Sequence, residues 1–128
     1  MKILHVINSL KKGGAEGNLF RLCKFHKKKY KTKIDITILT LIDNGFYETE
    51  LRKLGIKVYS LKINPKSKLY DLIKKIHKLR KLILNLNPDI IQSWMYHSNF
   101  LTLFIPKKFY SKVFWNIRHS ELNFKISK

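Results

Sequence analysis

The sequence predicts an α/β protein, in which a Rossmann-like parallel sheet of about five strands has helices on both faces. Short apolar runs of strand length alternate along the chain with longer stretches whose apolar residues recur at helical spacing. The two-residue turns typical of β-hairpins are missing between the apolar runs, so helices are expected to join parallel strands. The 128 residues fit one domain, without an internal boundary or repeat.

The first half of the chain supplies three strands and two helices. Residues 3–7 form an apolar run too short for a helix, which predicts a buried strand. Residues 15–28 place their apolar side chains on one helical face. Residues 34–41 are rich in β-branched side chains and predict the second strand. A helix over 46–55, which ends at a glycine, and a strand over 56–61 follow.

The second half opens with the clearest helix of the sequence. Leucine and isoleucine recur at helical spacing through residues 69–86, and we expect the sheet to bury this apolar stripe. The segment "NPD" over 87–89 ends the helix, because proline cannot easily continue it. A strand over 90–94, a short helix over 97–105 and a fifth strand over 112–117 complete the fold.

The formal charge of +19 has two explanations that the sequence leaves open. All but four of the 27 basic residues are lysine, as codon use in an A+T-rich genome would produce. An acidic partner is the other explanation, with an anionic membrane surface favoured over nucleic acid. No nucleic acid is expected, because finger spacing and RNA-binding consensus are missing. Four lysines of the helix over 69–86 fall largely off its apolar stripe: Lys74, Lys75, Lys78 and Lys81.

Several classes of protein are disfavoured by what the sequence lacks. A single cysteine, Cys23, excludes an internal disulfide and is expected to be a buried core thiol in a reducing compartment. Apolar runs are too short for a membrane span or a signal peptide, so we expect a cytoplasmic protein, and a peripheral position on the inner face of the membrane is the alternative. The five histidines lack metal-ligand spacing, and neither a P-loop nor a GxSxG motif occurs. No metal and no resident cofactor are therefore expected.

Polar residues that follow the strands are the candidates for a functional site, because ligands of open parallel sheets bind beyond the carboxyl ends of the strands. Gly13 and Gly14 follow the first strand and would let a ligand approach free backbone N–H groups, which favour an anion or a hydroxyl. Glu16 is a candidate substrate ligand or, instead, an electrostatic cap of the helix. His97 follows the fourth strand, where it can donate to a substrate hydroxyl or stabilise developing charge.

Three further candidates for substrate binding lie near the ends of the last two strands. Asn99 follows the fourth strand, and Arg118 and His119 follow the fifth. A guanidinium at that position can clamp a phosphate or a carboxylate in bidentate fashion. Purely structural roles compete with these functional ones: a tight loop for the glycines, capping or packing for His97, and a solvated strand end for the Arg–His pair.

Four segments resemble the GT4-type glycosyltransferases of GT-B fold. They are "KILHVINSLKKGGAE", with Gly-Gly-Ala-Glu at the start of the first helix, "ILTLIDNGFYETELRKLGIKVYSL", "NPDIIQSWMYHSNFLTLF", and "FWNIRHSE". The resemblance spans about residues 2 to 121. It implies a retaining transfer of a sugar from a nucleotide-sugar donor, as co-substrate, to a glycan or lipid-linked acceptor, with the N-terminal domain mainly binding the acceptor.

The resemblance also implies roles for single residues. His97 would face the transferred sugar as the catalytic residue. Gly13 and Gly14 would lie against the donor phosphate or the acceptor, and Arg118 and His119 would border the cleft. Family members often carry an additional histidine earlier in the fourth-strand segment, and this sequence has none between Gln92 and Met95.

The resemblance implies a second domain that this sequence does not contain. Residues 1–128 match an N-terminal Rossmann-like domain that is incomplete at its C-terminal end, and the donor-binding domain is not part of the sequence. We therefore expect a fragment, a truncated gene product or one half of a split enzyme, inactive alone and completed by a separate donor domain. The alternative is a non-catalytic basic Rossmann-like module that binds anionic lipid or nucleic acid.

Overall fold

A computed structural model describes residues 1–42, 45–64 and 66–116, and within them it contains a five-stranded parallel sheet. The strands are β1 (Lys2–Ile7), β2 (Asp35–Thr40), β3 (Lys57–Ser60), β4 (Ile90–Trp94) and β5 (Val113–Asn116). Their order across the sheet is β3-β2-β1-β4-β5, and every neighbouring pair is parallel. The sheet confirms the predicted fold class, with β1 central between β2 and β4.

Four α-helices of the described segments connect the strands, and they cover both faces of the sheet. They are α1 (Gly14–Tyr30), α2 (Phe46–Lys53), α3 (Leu69–Leu86) and α4 (Met95–Leu101). Most element ends lie within two residues of the prediction. The exception is the end of α4, which lies at Leu101, four residues before the end of the predicted helix over 97–105, and a 3₁₀ turn, Thr102–Phe104, follows it.

Two apolar cores lie on opposite faces of the sheet. The core under α1 and α2 contains Ile7, Leu10, Leu19, Cys23, Ile36, Ile38, Leu51, Ile56, Val58 and Trp94. The core under α3 and α4 contains Leu4, Val6, Leu39, Leu41, Leu61, Leu79, Ile83, Ile91, Leu101, Ile105 and Phe109. Cys23 is fully buried, and burial raises the pKa of its thiol to about 12, which confirms the predicted core thiol.

The prediction that the sheet buries the whole apolar stripe of α3 is wrong for its first two turns. Leu79 and Ile83 are buried, whereas Leu69, Leu72 and Ile73 are 73%, 37% and 54% exposed. The 18 residues of α3 span about 27 Å. A six-residue strand such as β1 spans only about 20 Å. The helix is therefore longer than the sheet beneath it, and part of its stripe has nothing to pack against.

Hydrogen bonds at the C-terminal end of α3 decide which end overhangs. Asn87 adopts the left-handed conformation, with φ 46°, and its N–H donates to the carbonyl of Ile83 at 2.8 Å. The Asp89 carboxylate accepts from the Lys2 N–H at 2.8 Å, and the Asp89 N–H donates back to the Lys2 carbonyl at 2.8 Å. With that end joined to β1, the first turns of α3 extend past the carboxyl edge of the sheet. None of the helices in the described segments is long and apolar enough to cross a bilayer.

Candidate functional site

A cavity of about 510 Å³ lies at the carboxyl edge of the sheet, between the overhanging turns of α3 and the helix α4. We call this cavity the edge groove. Its described lining consists of Asn8, Leu41, Ile42, Ile63, Leu72, Ile76, Tyr96, His97, Phe100, Leu101 and Phe104. The volume falls within the range of about 300–1,000 Å³ that is usual for small-molecule sites. The groove therefore occupies the place where an open parallel sheet binds its ligands.

His97 lies in the first turn of α4, where its exposed side chain lines the edge groove. Its position depends on Met95, which has a positive φ of 70° although it is not glycine. This conformation turns β4 into α4 without an intervening loop, at a cost of about 1–2 kcal/mol for an L-residue. Backbone strain of this kind collects at functional sites. The geometry places His97 as predicted, and its catalytic role stays a prediction.

Asn99 is a buried residue of α4, and it fastens that helix to the sheet. Its side-chain oxygen accepts a hydrogen bond from the hydroxyl of Ser93 on β4. Its backbone carbonyl accepts from the hydroxyl of Thr102 at 2.6 Å, and the indole N–H of Trp115 donates to that same hydroxyl at 3.0 Å. Among the described residues, those lining the edge groove do not include Asn99. Its predicted contact with substrate therefore remains a prediction, beside an evident structural role.

Gly13, Gly14 and Glu16 come together at the first turn of α1. Gly13 is extended, with φ −178°, a conformation open to any residue, and its carbonyl accepts from the Gly17 N–H at 3.0 Å. A Cβ atom added to Gly14 would meet nothing within 4 Å. Neither backbone conformation nor packing requires glycine at position 14, so the space beside it is available to a ligand.

The Glu16 carboxylate decides which ligand suits this turn. A Cβ atom added to Gly13 would lie 2.9 Å from both carboxylate oxygens of Glu16, so the carboxylate covers the N-terminal end of α1. It offsets the partial positive charge of the helix end and repels a second anion. A sugar hydroxyl can instead donate to the carboxylate. The turn therefore suits a hydroxyl-bearing ligand better than a phosphate.

Gly45 supports this loop, a role that the sequence does not reveal. A Cβ atom at Gly45 would lie 2.0 Å from the carbonyl carbon of Leu10, so only glycine fits there. The N–H of Tyr47 donates to the Leu10 carbonyl at 3.0 Å. The start of α2 thus braces the loop between β1 and α1. The segment "DNG" over 43–45 predicts a turn, whose first two residues lie outside the described residues. Nothing in this segment signals a contact with a loop more than thirty residues earlier.

His5 is a buried titratable group that the sequence did not single out. Its Nδ1 atom accepts from the Trp94 indole N–H at 3.2 Å, which places the imidazole proton on Nε2. Burial, with a smaller contribution from the charge of His26, lowers the pKa of His5 to about 3. The ring is therefore neutral at physiological pH, and it belongs to the packing of the α1 face of the sheet rather than to the edge groove.

Two predicted site residues, Arg118 and His119, lie outside the described residues. Within the described segments, no three His, Cys, Asp or Glu side chains gather as metal ligands. The structure thus brings His97 into the edge groove and gathers Gly13, Gly14 and Glu16 at the neighbouring helix start.

Comparison with protein-family models gave no match, and comparison with curated proteins gave none. Among solved structures, the chain is similar to the C-terminal domain of a hydrogenase from Pyrococcus furiosus, with 16% identity, a TM-score of 0.53, and coverage of 92% of this chain and 91% of that one. It is also similar to UDP-GlcNAc 2-epimerase from Neisseria meningitidis bound to UDP-GlcNAc, with 20% identity and a TM-score of 0.56 over 97% of this chain. The chain spans 35% of the epimerase. At these identities the similarity shows the Rossmann-like α/β fold alone.

Proposed function

We propose that this chain is the acceptor-side domain of a glycosyltransferase that moves a sugar from a nucleotide-sugar donor to a glycan or lipid-linked acceptor. The observation that carries the proposal is the edge groove. It lies at the carboxyl edge of a parallel sheet, with His97 in its wall and Asn8 leading into the glycine loop. A ligand in the groove would therefore lie between a histidine and a helix start that suits sugar hydroxyls.

Two independent likenesses support the proposal. The motifs around Gly13 and His97 resemble those of GT4-type glycosyltransferases. The similar epimerase structure holds UDP-GlcNAc, a nucleotide sugar, on a fold of the same kind. The sequence resemblance supplies the reaction type, and the structural neighbour agrees with the class of donor.

The proposed roles follow from position. The imidazole of His97 would donate to a hydroxyl of the transferred sugar or stabilise charge that develops on it. The Glu16 carboxylate, beside Gly13 and Gly14, would accept from acceptor hydroxyls. A second, donor-binding domain, in a longer polypeptide or a separate chain, would close over the nucleotide sugar. Holding both substrates in reactive geometry is worth roughly 7–11 kcal/mol, which half a cleft cannot supply.

Reconstitution tests this proposal. Purified residues 1–128 are mixed with a donor-binding Rossmann domain encoded by adjoining sequence, and transfer of radiolabelled sugar from nucleotide sugars is measured. We expect no transfer by either part alone, transfer by the mixture, and a loss of at least about 10²-fold in His97→Ala. His77→Ala is the matched control, because His77 is exposed on α3. Transfer by the isolated chain above its His97→Ala control, or full activity of His97→Ala in the mixture, would contradict the proposal.

A second candidate function is docking on an anionic membrane on the cytoplasmic side, and the exposed half of α3 favours it. Leu69 and Ile73 are free to insert, and the Lys74 ammonium lies 4.6 Å from the centre of the Tyr70 ring. The four lysines at positions 74, 75, 78 and 81 would contribute at most about 4 kcal/mol, since each basic residue near an anionic leaflet adds about 1 kcal/mol and salt screens it.

Co-sedimentation with vesicles tests the membrane candidate. Binding should increase with the fraction of anionic lipid, decrease with salt, and fall when the four lysines are replaced by glutamine. Equal binding to neutral vesicles, or an unchanged four-glutamine variant, would remove the membrane candidate and leave the glycosyltransferase proposal in place.

A further inference from the structure

We propose that the edge groove binds the hydrocarbon chain of an amphiphilic acceptor whose headgroup is an anionic phosphate. This inference rests on the proposed function and narrows it, because it selects a lipid-linked acceptor over a free glycan. It follows from the lining of the groove, its access to solvent, and the charges beside it.

The lining of the groove suits hydrocarbon and not a free sugar. Leu72 and Ile76 lie one turn apart on α3 and form one wall. Phe100 and Phe104 form the other, with their rings edge to face and their centres 5.5 Å apart. Buried hydroxyls need hydrogen-bond partners, and few are present on these walls. A glycan carries hydroxyls on every side, so the groove favours a chain without them.

Polar groups of the described lining come from Asn8, Tyr96 and His97, together with the backbone. Asn8 ends β1 and leads into the loop of Gly13 and Gly14, and His97 belongs to the first turn of α4. This polar end is where the reacting hydroxyl of an amphiphile would lie, with its chain running along the apolar walls.

The groove is open to solvent, and a hydrogen bond joins its two walls. Leu72 is 37% exposed and Phe100 is 62% exposed, so a ligand can reach both walls from solvent. The Arg80 guanidinium on α3 donates to the carbonyl of Phe104 at 3.0 Å and joins the two walls. An apolar concave surface that carries a few polar groups is typical of small-molecule sites.

The charges beside the groove select an anionic headgroup. Lys68 and Lys75 lie four residues before and three after Leu72, and side chains at these spacings are neighbours on a helix surface. Residues 60–86 contain eight basic side chains and a single acidic one, Asp71. Among the described residues that line the groove, none is acidic. A phosphate at the mouth of the groove would therefore meet favourable charge.

Farnesyl phosphate, titrated into residues 1–128 and followed by calorimetry, tests the inference. We expect binding to wild type, and binding at least about tenfold weaker in Leu72→Gln, since a buried leucine contact is lost. Ile73→Gln is the matched control, because Ile73 is exposed on the same helix but does not line the groove. Its affinity should stay within about twofold of wild type. Phe100→Gln tests the opposite wall if Leu72→Gln does not fold by circular dichroism.

Three results would overturn the inference. The first is equal affinity of wild type, Leu72→Gln and Phe100→Gln. The second is binding of inorganic phosphate as tight as that of farnesyl phosphate, which would show a headgroup site without a chain site. The third is self-association that Leu72→Gln abolishes and farnesyl phosphate does not displace, which would assign the groove to a second copy.

The farnesyl phosphate titration and the reconstitution of sugar transfer can fail independently of each other. Binding of farnesyl phosphate without sugar transfer in the reconstituted mixture would retain the chain site and reject the glycosyltransferase. Transfer to a free glycan, with farnesyl phosphate unbound, would retain the glycosyltransferase and reject the chain site.

Discussion

α1 and α3 are helices of nearly equal length, 17 and 18 residues, but they bury opposite halves. α1 buries Leu19 and Cys23, which lie within its first ten residues. α3 buries Leu79 and Ile83, which lie within its last eight residues. Because both helices begin at the carboxyl edge of the sheet, that edge is closed on the α1 face and open on the α3 face. The edge groove exists on one face for this reason.

The two helices bury opposite halves because contacts with the rest of the fold hold α1 at its N-terminal end and α3 at its C-terminal end. The loop before α1 is braced by Gly45, and the ring of Tyr47 stacks on Phe20 of α1 with 5.3 Å between centres. α3 is tied at its other end, where Asp89 pairs with the backbone of Lys2. A helix longer than the sheet must overhang at the end opposite its tie. Amphipathic helices of similar length thus close the carboxyl edge on one face of the sheet and leave the edge groove open on the other.

The largest expected effect is a difference in stability between substitutions in the two halves of α3. Ile83→Ala should lower the free energy of unfolding by about 2–5 kcal/mol, because it leaves a cavity in a packed core. Ile73→Ala, on the overhanging turns, should change it by no more than about 0.5 kcal/mol. Urea denaturation measures both. Similar losses in the two variants would show that the first turns of α3 are packed in solution, and the contrast between the halves would fail.

A smaller expected change in stability tests the α1 face of the sheet, where the carboxyl edge is closed. Gly45→Ala should destabilise by about 1–3 kcal/mol, since its Cβ would overlap the backbone at Leu10. Gly14→Ala should raise stability by no more than about 1 kcal/mol, because the space beside it is open. Thermal unfolding distinguishes them. If Gly45→Ala were neutral, the bracing of the loop by α2 would be wrong.

The smallest expected effect is the pH dependence of stability that His5, on the α1 face of the sheet, produces. In the unfolded chain the pKa of His5 returns to its ordinary value of 6.5, whereas in the fold burial lowers it to about 3. Between these values the unfolded chain binds more protons, so stability is full above pH 6.5 and falls as the pH decreases. The slope attributable to His5 is at most about 1.4 kcal/mol per pH unit.

Urea denaturation at pH 7, 6 and 5 measures this slope. His5→Gln should lose part of it, while His77→Gln, a substitution at an exposed histidine, should keep it. An identical pH dependence in wild type and His5→Gln would mean that His5 is accessible to protons in the fold.

The sequence was sufficient to predict the strands, their parallel arrangement and the edge that carries the candidate site. Buried strands are short apolar runs and helices have a 3.6-residue period, so these elements are visible in a single sequence. The rule that ligands bind beyond the carboxyl ends of parallel strands then selected Gly13, Gly14 and His97. The structure places these three residues at that edge.

Other features depend on three-dimensional fit, which a local pattern does not encode. The period of α3 shows which side chains share a face, but only the length of the sheet decides that Leu69 and Ile73 stay uncovered. Met95 has a positive φ without being glycine, so the early start of α4 carries no sequence signal. The need for glycine at position 45 arises from a distant loop. Arg118 and His119 lie outside the described residues, and their roles stay predictions.

The most direct test of the contrast within α3 is a chemical-shift map of ¹⁵N-labelled residues 1–128 titrated with farnesyl phosphate. We predict that the perturbed amides cluster in residues 69–76 and 95–104, which form the two helical walls of the edge groove, and that amides of residues 79–86 change little. Perturbations that spread evenly along α3, or that concentrate in its packed half, would contradict the assignment of one half to packing and the other to binding.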